Sequence, residues 1–177
     1  MIQLDTSWLQ HVQKPARYTG GEYNSIVKDH STVDVTMALA FPDVYEVAMS
    51  HLGIKILYGL VNRRDDAAAE RVFAPWHDME EEMRKRNIPL FSLETRTPIK
   101  DFDVLAFTLQ YEMSFTNILN MLDLADIPMY AKDRDMDFPL LVCGGPCAFN
   151  VEPIADFFDI VSLGESEEWG DEFIDLY

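Results

Sequence analysis

From residue 33 onward, short apolar runs alternate with segments whose apolar residues return every three or four positions. VDVTMALAF (33–41) is rich in β-formers and almost continuously apolar at its end, as a parallel strand covered on both faces should be. Ser50 offers an N-cap for a helix running to about Asn62, with Leu52, Ile56 and Leu60 at fourfold spacing on one face. RVFAP (71–75) reads as a short second strand. HDMEEEMRKRN (77–87) is a helix with acids early and bases late, stopped by Pro89. A short apolar piece, LFSLE, follows at 90–94.

The alternation then repeats. DVLAFTL (103–109) is a buried strand, and SFTNILNMLDLADI (114–127) a helix with Ile118, Met121, Leu122 and Ala125 inward and Pro128 just beyond it. FPLLVCGG (138–145) is a strand running into glycines, Pro153 to Asp156 suggest a short turn or helix, and FDIVSLG (158–164) is the last strand. GESEEWGDEFIDLY opens a helix with acids in its first turn. That helix reaches Tyr177 without a Gly or Pro stop, which suggests a truncated chain. The pattern predicts an α/β fold: a flavodoxin- or Rossmann-like doubly wound parallel sheet of about five strands, with helices on both faces. Residues 33–177 are expected to form this domain. Residues 1–32, with KPARYTGGEYN, read as an irregular leader packing on it.

Composition narrows the class. The 177 residues are 48% hydrophobic and 25% charged, enough for one well-cored domain. The longest apolar runs are too short to span a bilayer, and MIQLDTSWLQH lacks the basic and apolar regions of a signal peptide. A cytoplasmic location is the expectation. Asp and Glu number 31 against 14 Lys and Arg, a net charge of −17, which repels phosphate backbones and argues against nucleic-acid binding by this segment. Cys143 and Cys147 give neither a disulfide framework nor a four-cysteine zinc site.

In doubly wound sheets, ligands bind beyond the carboxyl ends of the strands. That rule selects PDVYEVAMSHLG (42–53), QYEMS (110–114), CGGPCAFN (143–150) and GESE (164–167). Gly144 and Gly145 after a buried strand serve either a close backbone approach or simply a tight turn. There is no GxGxxG and no GxxxxGK[ST], so neither a dinucleotide fingerprint nor a P-loop is present. Cys143 and Cys147 form CxxxC, but Asn150 stands where a third cluster thiolate would be needed, so both read as small hydrophobes. His51 beside a helix start is either a ligand contact or a packed helix-start residue. His77 reads as a solvated surface residue, and His11 and His30 lie in the leader without a visible partner. Asp103 lies at the amino end of its strand, which excludes a phosphorelay receiver, and PDVYEVAMSHLG is not a flavin phosphate loop. No nucleophile–base pair emerges.

Taken together, HLGIKILYGL, DFDVLAFTLQYEMSFTNILNMLDLA and LLVCGGPCAFNVEPIADFFDIVSLGESEE resemble the cobalamin-binding-like domains that precede radical-SAM domains. The similarity covers roughly residues 33–177. KPARYTGGEYN, FAPWHDMEEEMR and LFSLETR are closer still to a subgroup of large radical-SAM proteins in which this domain precedes the catalytic barrel. The resemblance implies a downstream radical-SAM domain in the same chain, carrying CxxxCxxC, a [4Fe–4S] cluster and S-adenosylmethionine. It assigns this segment no catalytic and no metal-ligating residue. Cobalamin would lie against the 50–53, 108–114 and 143–147 edges, facing the barrel. Its candidate contacts are Ser50, His51 and Gly53, then Thr108, Gln110, Tyr111 and Ser114, then Gly144, Gly145 and Pro146. Gly164 and Glu165 complete the set. The DxHxxG motif of domains that ligate cobalt through histidine is replaced here by Asp43-Val44-Tyr45-Glu46-Val47-Ala48. Two functions stay open: presentation of cobalamin or substrate to a radical-SAM site, or a non-binding Rossmann-like module for substrate capture or interdomain packing. In the second, Tyr111, Met113 and Phe149 would fill the pocket.

Overall fold

The computed structural model describes residues 6–177. In chain order its regular elements are β1 (Val35–Phe41), α1 (Tyr45–Ala48), α2 (Leu52–Arg63), β2 (Ala67–Phe73), α3 (His77–Arg86), β3 (Val104–Thr108), α4 (Phe115–Leu124), β4 (Leu140–Gly144), β5 (Ile160–Val161) and α5 (Ser166–Leu176). Short 3-10 turns fill most of the remainder, including Pro146–Asn150 and Glu152–Phe157. The strands form one five-stranded sheet in the order β2-β1-β3-β4-β5, and every neighbouring pair is parallel. That is the doubly wound, flavodoxin-like order the alternating pattern predicts.

Alternation along each strand divides the core. Met37, Leu39 and Phe41 of β1 pack with Val104, Val142 and the inner faces of α2 and α5. Ala38 and Ala40 point the other way, with Leu105, Phe107, Leu141 and Cys143, towards α3 and α4. In α4, Ile118, Met121, Leu122 and the following Ala125 are buried, as their spacing predicts. Asp103 pins the amino ends of β1 and β3 together: its carboxylate accepts from the Thr36 amide at 2.8 Å and hydroxyl at 2.7 Å.

Several sequence expectations need correction. The N-cap of α2 is His51, not Ser50, because the Ser50 hydroxyl turns back to donate to the Glu46 carbonyl at 2.7 Å. The inward stripe of α2 runs through Ile54, Tyr58 and Val61, while Leu52 and Ile56 are exposed. β2 begins at Ala67 and pairs with β1 over its full length, so it contains Glu70 and Arg71 as buried residues. β5 shortens to two residues.

The described part of the leader runs beside β2. Trp8, Leu9 and Val12 join the core next to α3. Lys14 and Arg17 both reach Glu46 at 2.9 Å, and the Tyr58 hydroxyl donates to the Ile26 carbonyl at 3.1 Å. His30 has a partner after all: its Nε2 lies 2.7 Å from the buried Glu70 carboxylate. Hydrogen bonds from His30, Ser92 and Thr95 hold Glu70 below its ordinary value against a large opposing effect of burial.

Candidate functional site

β1 feeds α2 on one face of the sheet, and β3 feeds α4 on the other. The chain therefore diverges beyond the carboxyl ends of β1 and β3, the position where doubly wound sheets hold ligands. Here the sheet and two helices enclose a cavity of about 430 Å³. Its floor is the sheet face carrying Met37, Leu39, Val104, Ala106 and Val142. One wall is α2, through Ile54, Leu57 and Val61; the other is α5, through Trp169 and Phe173, whose rings stack at 4.8 Å. The exposed residues among its lining are Pro146, Phe149, Gly164, Glu165 and Glu167, all at the carboxyl edge, so the cavity opens there. Its lining contains no lysine or arginine.

Most of the sequence-derived candidates converge on this opening: His51, Gly53, Thr108, Gln110, Gly144, Gly145, Pro146, Gly164 and Glu165 all line the cavity. Three others lie outside it. Ser50 is bound to the Glu46 carbonyl, the Ser114 hydroxyl donates to the Tyr111 carbonyl at 2.7 Å, and the Tyr111 hydroxyl donates to Asp43 at 3.2 Å. The Asp43 carboxylate raises the Tyr111 phenol above its ordinary value, with burial adding to the effect. Sequence reasoning missed Ser162, Ser166, Trp169 and Phe173. The signal for Trp169 and Phe173 was the apolar face of α5, legible as amphipathic but not as a cavity wall; Ser162 and Ser166 carried none.

At the mouth, His51 Nδ1 accepts from the Ile54 amide at 3.4 Å, which caps α2. The other ring nitrogen, Nε2, lies 3.1 Å from Gln110 Oε1. Gln110 Nε2 donates to the Thr108 hydroxyl at 2.5 Å. Two glycines make room for these side chains. A Cβ at Gly53 would stand 2.8 Å from His51 Cε1, and one at Gly145 would meet Leu109 O at 3.0 Å and Gln110 Nε2 at 3.3 Å. Gly145 also has φ of +105°, a conformation that side-chain-bearing residues rarely adopt.

Cys143 is buried and Cys147 half-buried. Burial pushes the Cys143 thiol up to about 12, and burial together with Glu112 raises Cys147. A buried, protonated thiol such as that of Cys143 is a poor nucleophile. Among the described residues, no group of three His, Cys, Asp or Glu side chains is placed to hold a metal ion. Nor is any described helix long and apolar enough to cross a membrane.

An uncharacterized protein of Methanocaldococcus jannaschii is 28% identical over 134 residues, covering 74% of this chain and 24% of that protein. The chain thus spans about a quarter of that relative's length. Residues 53–177, which include β2 to β5 and nearly all of α2, match the family described as radical SAM proteins, N-terminal. The chain therefore belongs to the family of N-terminal domains of radical-SAM proteins.

Proposed function

We propose that this domain is a ligand-presenting module: it holds an uncharged, largely apolar part of a cofactor or substrate in the cavity between the sheet, α2 and α5. The rest of the ligand is presented beyond the carboxyl edge to a downstream catalytic domain of the same polypeptide. The observation that carries this reading is the cavity itself. Its 430 Å³ falls within the roughly 300–1,000 Å³ typical of small-molecule sites. A packing module would close such a space with the large side chains at its edge. Instead Tyr111 is 43% exposed, Met113 82% and Phe149 77%. The absence of lysine and arginine from the lining argues against a phosphate inside the cavity.

Cobalamin suits this site in the class of ligand it offers: an uncharged aromatic base that can enter an apolar slot, and a bulky ring system that cannot. Met37, Leu39, Ala106, Val142, Trp169 and Phe173 would enclose the base, and Gly144 and Gly145 would let it pass the edge of the sheet. When bound, cobalamin supplies a cobalt centre able to carry a methyl group. His51 is not free to ligate that metal, because both its ring nitrogens already have partners. No catalytic residue is assigned to the segment. The [4Fe–4S] cluster and S-adenosylmethionine belong in this reading to the downstream domain, in a cytoplasmic protein.

Titration of the 177-residue chain with hydroxocobalamin, followed by visible absorbance and equilibrium dialysis, tests the proposal. Saturable binding is expected, with a spectrum lacking histidine ligation. Ala106→Leu, which adds bulk inside the cavity, should weaken binding at least about tenfold without unfolding the protein. Failure of the chain to bind, alone or extended by its downstream domain, would leave the packing role standing.

A further inference from the structure

The three polar side chains at the cavity mouth form a chain of hydrogen bonds that can run in only one direction. His51 Nδ1 faces the Ile54 N–H and must accept, so the neutral ring carries its proton on Nε2. That N–H can donate only to an acceptor, which fixes Gln110 Oε1 towards His51 at 3.1 Å. A flipped carboxamide would set N–H against N–H. The Gln110 amino group is therefore committed to the Thr108 side, where it donates to the hydroxyl oxygen at 2.5 Å. Thr108 accepts, and its own proton meets no acceptor among the described residues. On β3, Thr108 lies on the same face as Val104 and Ala106, the face that floors the cavity.

From this we infer that His51 and Gln110 are positioning residues that set the polarity of the site. They leave the Thr108 hydroxyl as a hydrogen-bond donor, so the cavity selects a neutral apolar group bearing an acceptor atom over one bearing a donor. The surroundings are built for this arrangement. Phe41 packs against the His51 ring at 5.2 Å, Gly53 clears space for that ring, and Gly145 clears space for the Gln110 carboxamide. Capping of α2 alone would need no Gln110, and an Asn at position 51 would serve it as well as His. The inference rests on the cavity being a ligand site, but the polarity itself can be read without any ligand.

The test has two parts, both on the 177-residue chain. Long-range ¹H–¹⁵N spectra of the ligand-free protein should show His51 as the Nε2–H tautomer. Affinities are then measured for two neutral bicyclic probes at pH 8: isoquinoline, which only accepts, and indole, which only donates. The wild type should favour isoquinoline. Gln110→Glu supplies a second acceptor that captures the Thr108 proton, and should shift the isoquinoline-to-indole ratio towards indole by about tenfold, the size of one hydrogen bond. His51→Asn keeps the helix cap but cannot orient Gln110, and Gly53→Ala displaces the ring; both should erode the same ratio. An Nδ1–H tautomer, or a ratio unmoved by Gln110→Glu and His51→Asn while both probes bind, would overturn the inference. No binding of either probe, with the Nε2–H tautomer intact, would instead overturn the ligand cavity.

Discussion

Cys143 and Cys147 sit four residues apart yet in different surroundings. Cys143 is 1% exposed on β4, and burial takes its thiol to about 12. Cys147 is half-buried, in the following 3-10 turn and packed against the core on the α4 side of the sheet. A thiol reagent at pH 8 should therefore titrate Cys147 alone in the native chain and both cysteines in denaturant; rapid native modification of two thiols would contradict the buried position of Cys143. Gly145 allows a sharper test. Gly145→Ala forces a Cβ into the left-handed region and against Leu109 and Gln110, so it should destabilise the fold by roughly 1–3 kcal/mol in urea unfolding and weaken ligand binding as well. The glycine pair was legible in the sequence, since a Gly-Gly after an apolar strand has few uses. The role of Gly53 was not. It depends on the ring of His51 folding back over it, a contact between side-chain conformations that no spacing encodes.

Among the elements, β2 is where sequence pattern and structure diverge most. AAAERV has the composition of a helix, and only its end looks β-rich. The seven-residue register with β1 overrides that propensity, and the cost is two buried charged residues. Arg71 is satisfied by the Glu94 carboxylate at 2.6 Å, by the Ser25 hydroxyl at 3.1 Å and by the face of Tyr58 at 4.5 Å. Burial raises Glu94 even beside this arginine. Arg71→Ala strands a buried carboxylate and should cost about 3–5 kcal/mol in chemical denaturation. Because burial favours the protonated form of Glu94, that cost should shrink as the pH is lowered into the carboxylate range. A deficit independent of pH would assign the loss to packing alone. The ambiguity in α2 is of another kind. That helix carries two apolar stripes, Leu52/Ile56 and Ile54/Tyr58/Val61, and periodicity alone cannot say which one meets the sheet. β3, α4 and β4 carry one apolar pattern each, and their positions agreed with the sequence to within three residues.

The doubly wound layout was readable because alternation of strand and helix leaves few other topologies, whereas the leader's path was not, since it has no period. Its described residues are tied to the domain through individual contacts, and the most exposed of these is the pair of cations on Glu46. Lys14 and Arg17 hold that carboxylate at about 2, below its ordinary 4.5. A carboxylate held low in the folded state stabilises it above the ordinary value, and this support fades as the pH falls from 4.5 towards about 2. The group is 44% exposed, so solvent screening keeps the contribution under about 1 kcal/mol. The effect should be local rather than global. Hydrogen exchange of amides at 14–18, corrected for intrinsic rates, should accelerate between pH 5 and pH 3 while amides of β1 and β3 stay protected. Glu46→Gln should show that acceleration already at pH 7 and lose most of its pH dependence. Burial of Trp8, Leu9 and Val12 beside α3 should keep the preceding turn in place in both proteins. If the substituted chain instead retains the wild-type pH profile, the leader is held by its apolar contacts and the tyrosine hydroxyls, and the ion pairs are incidental.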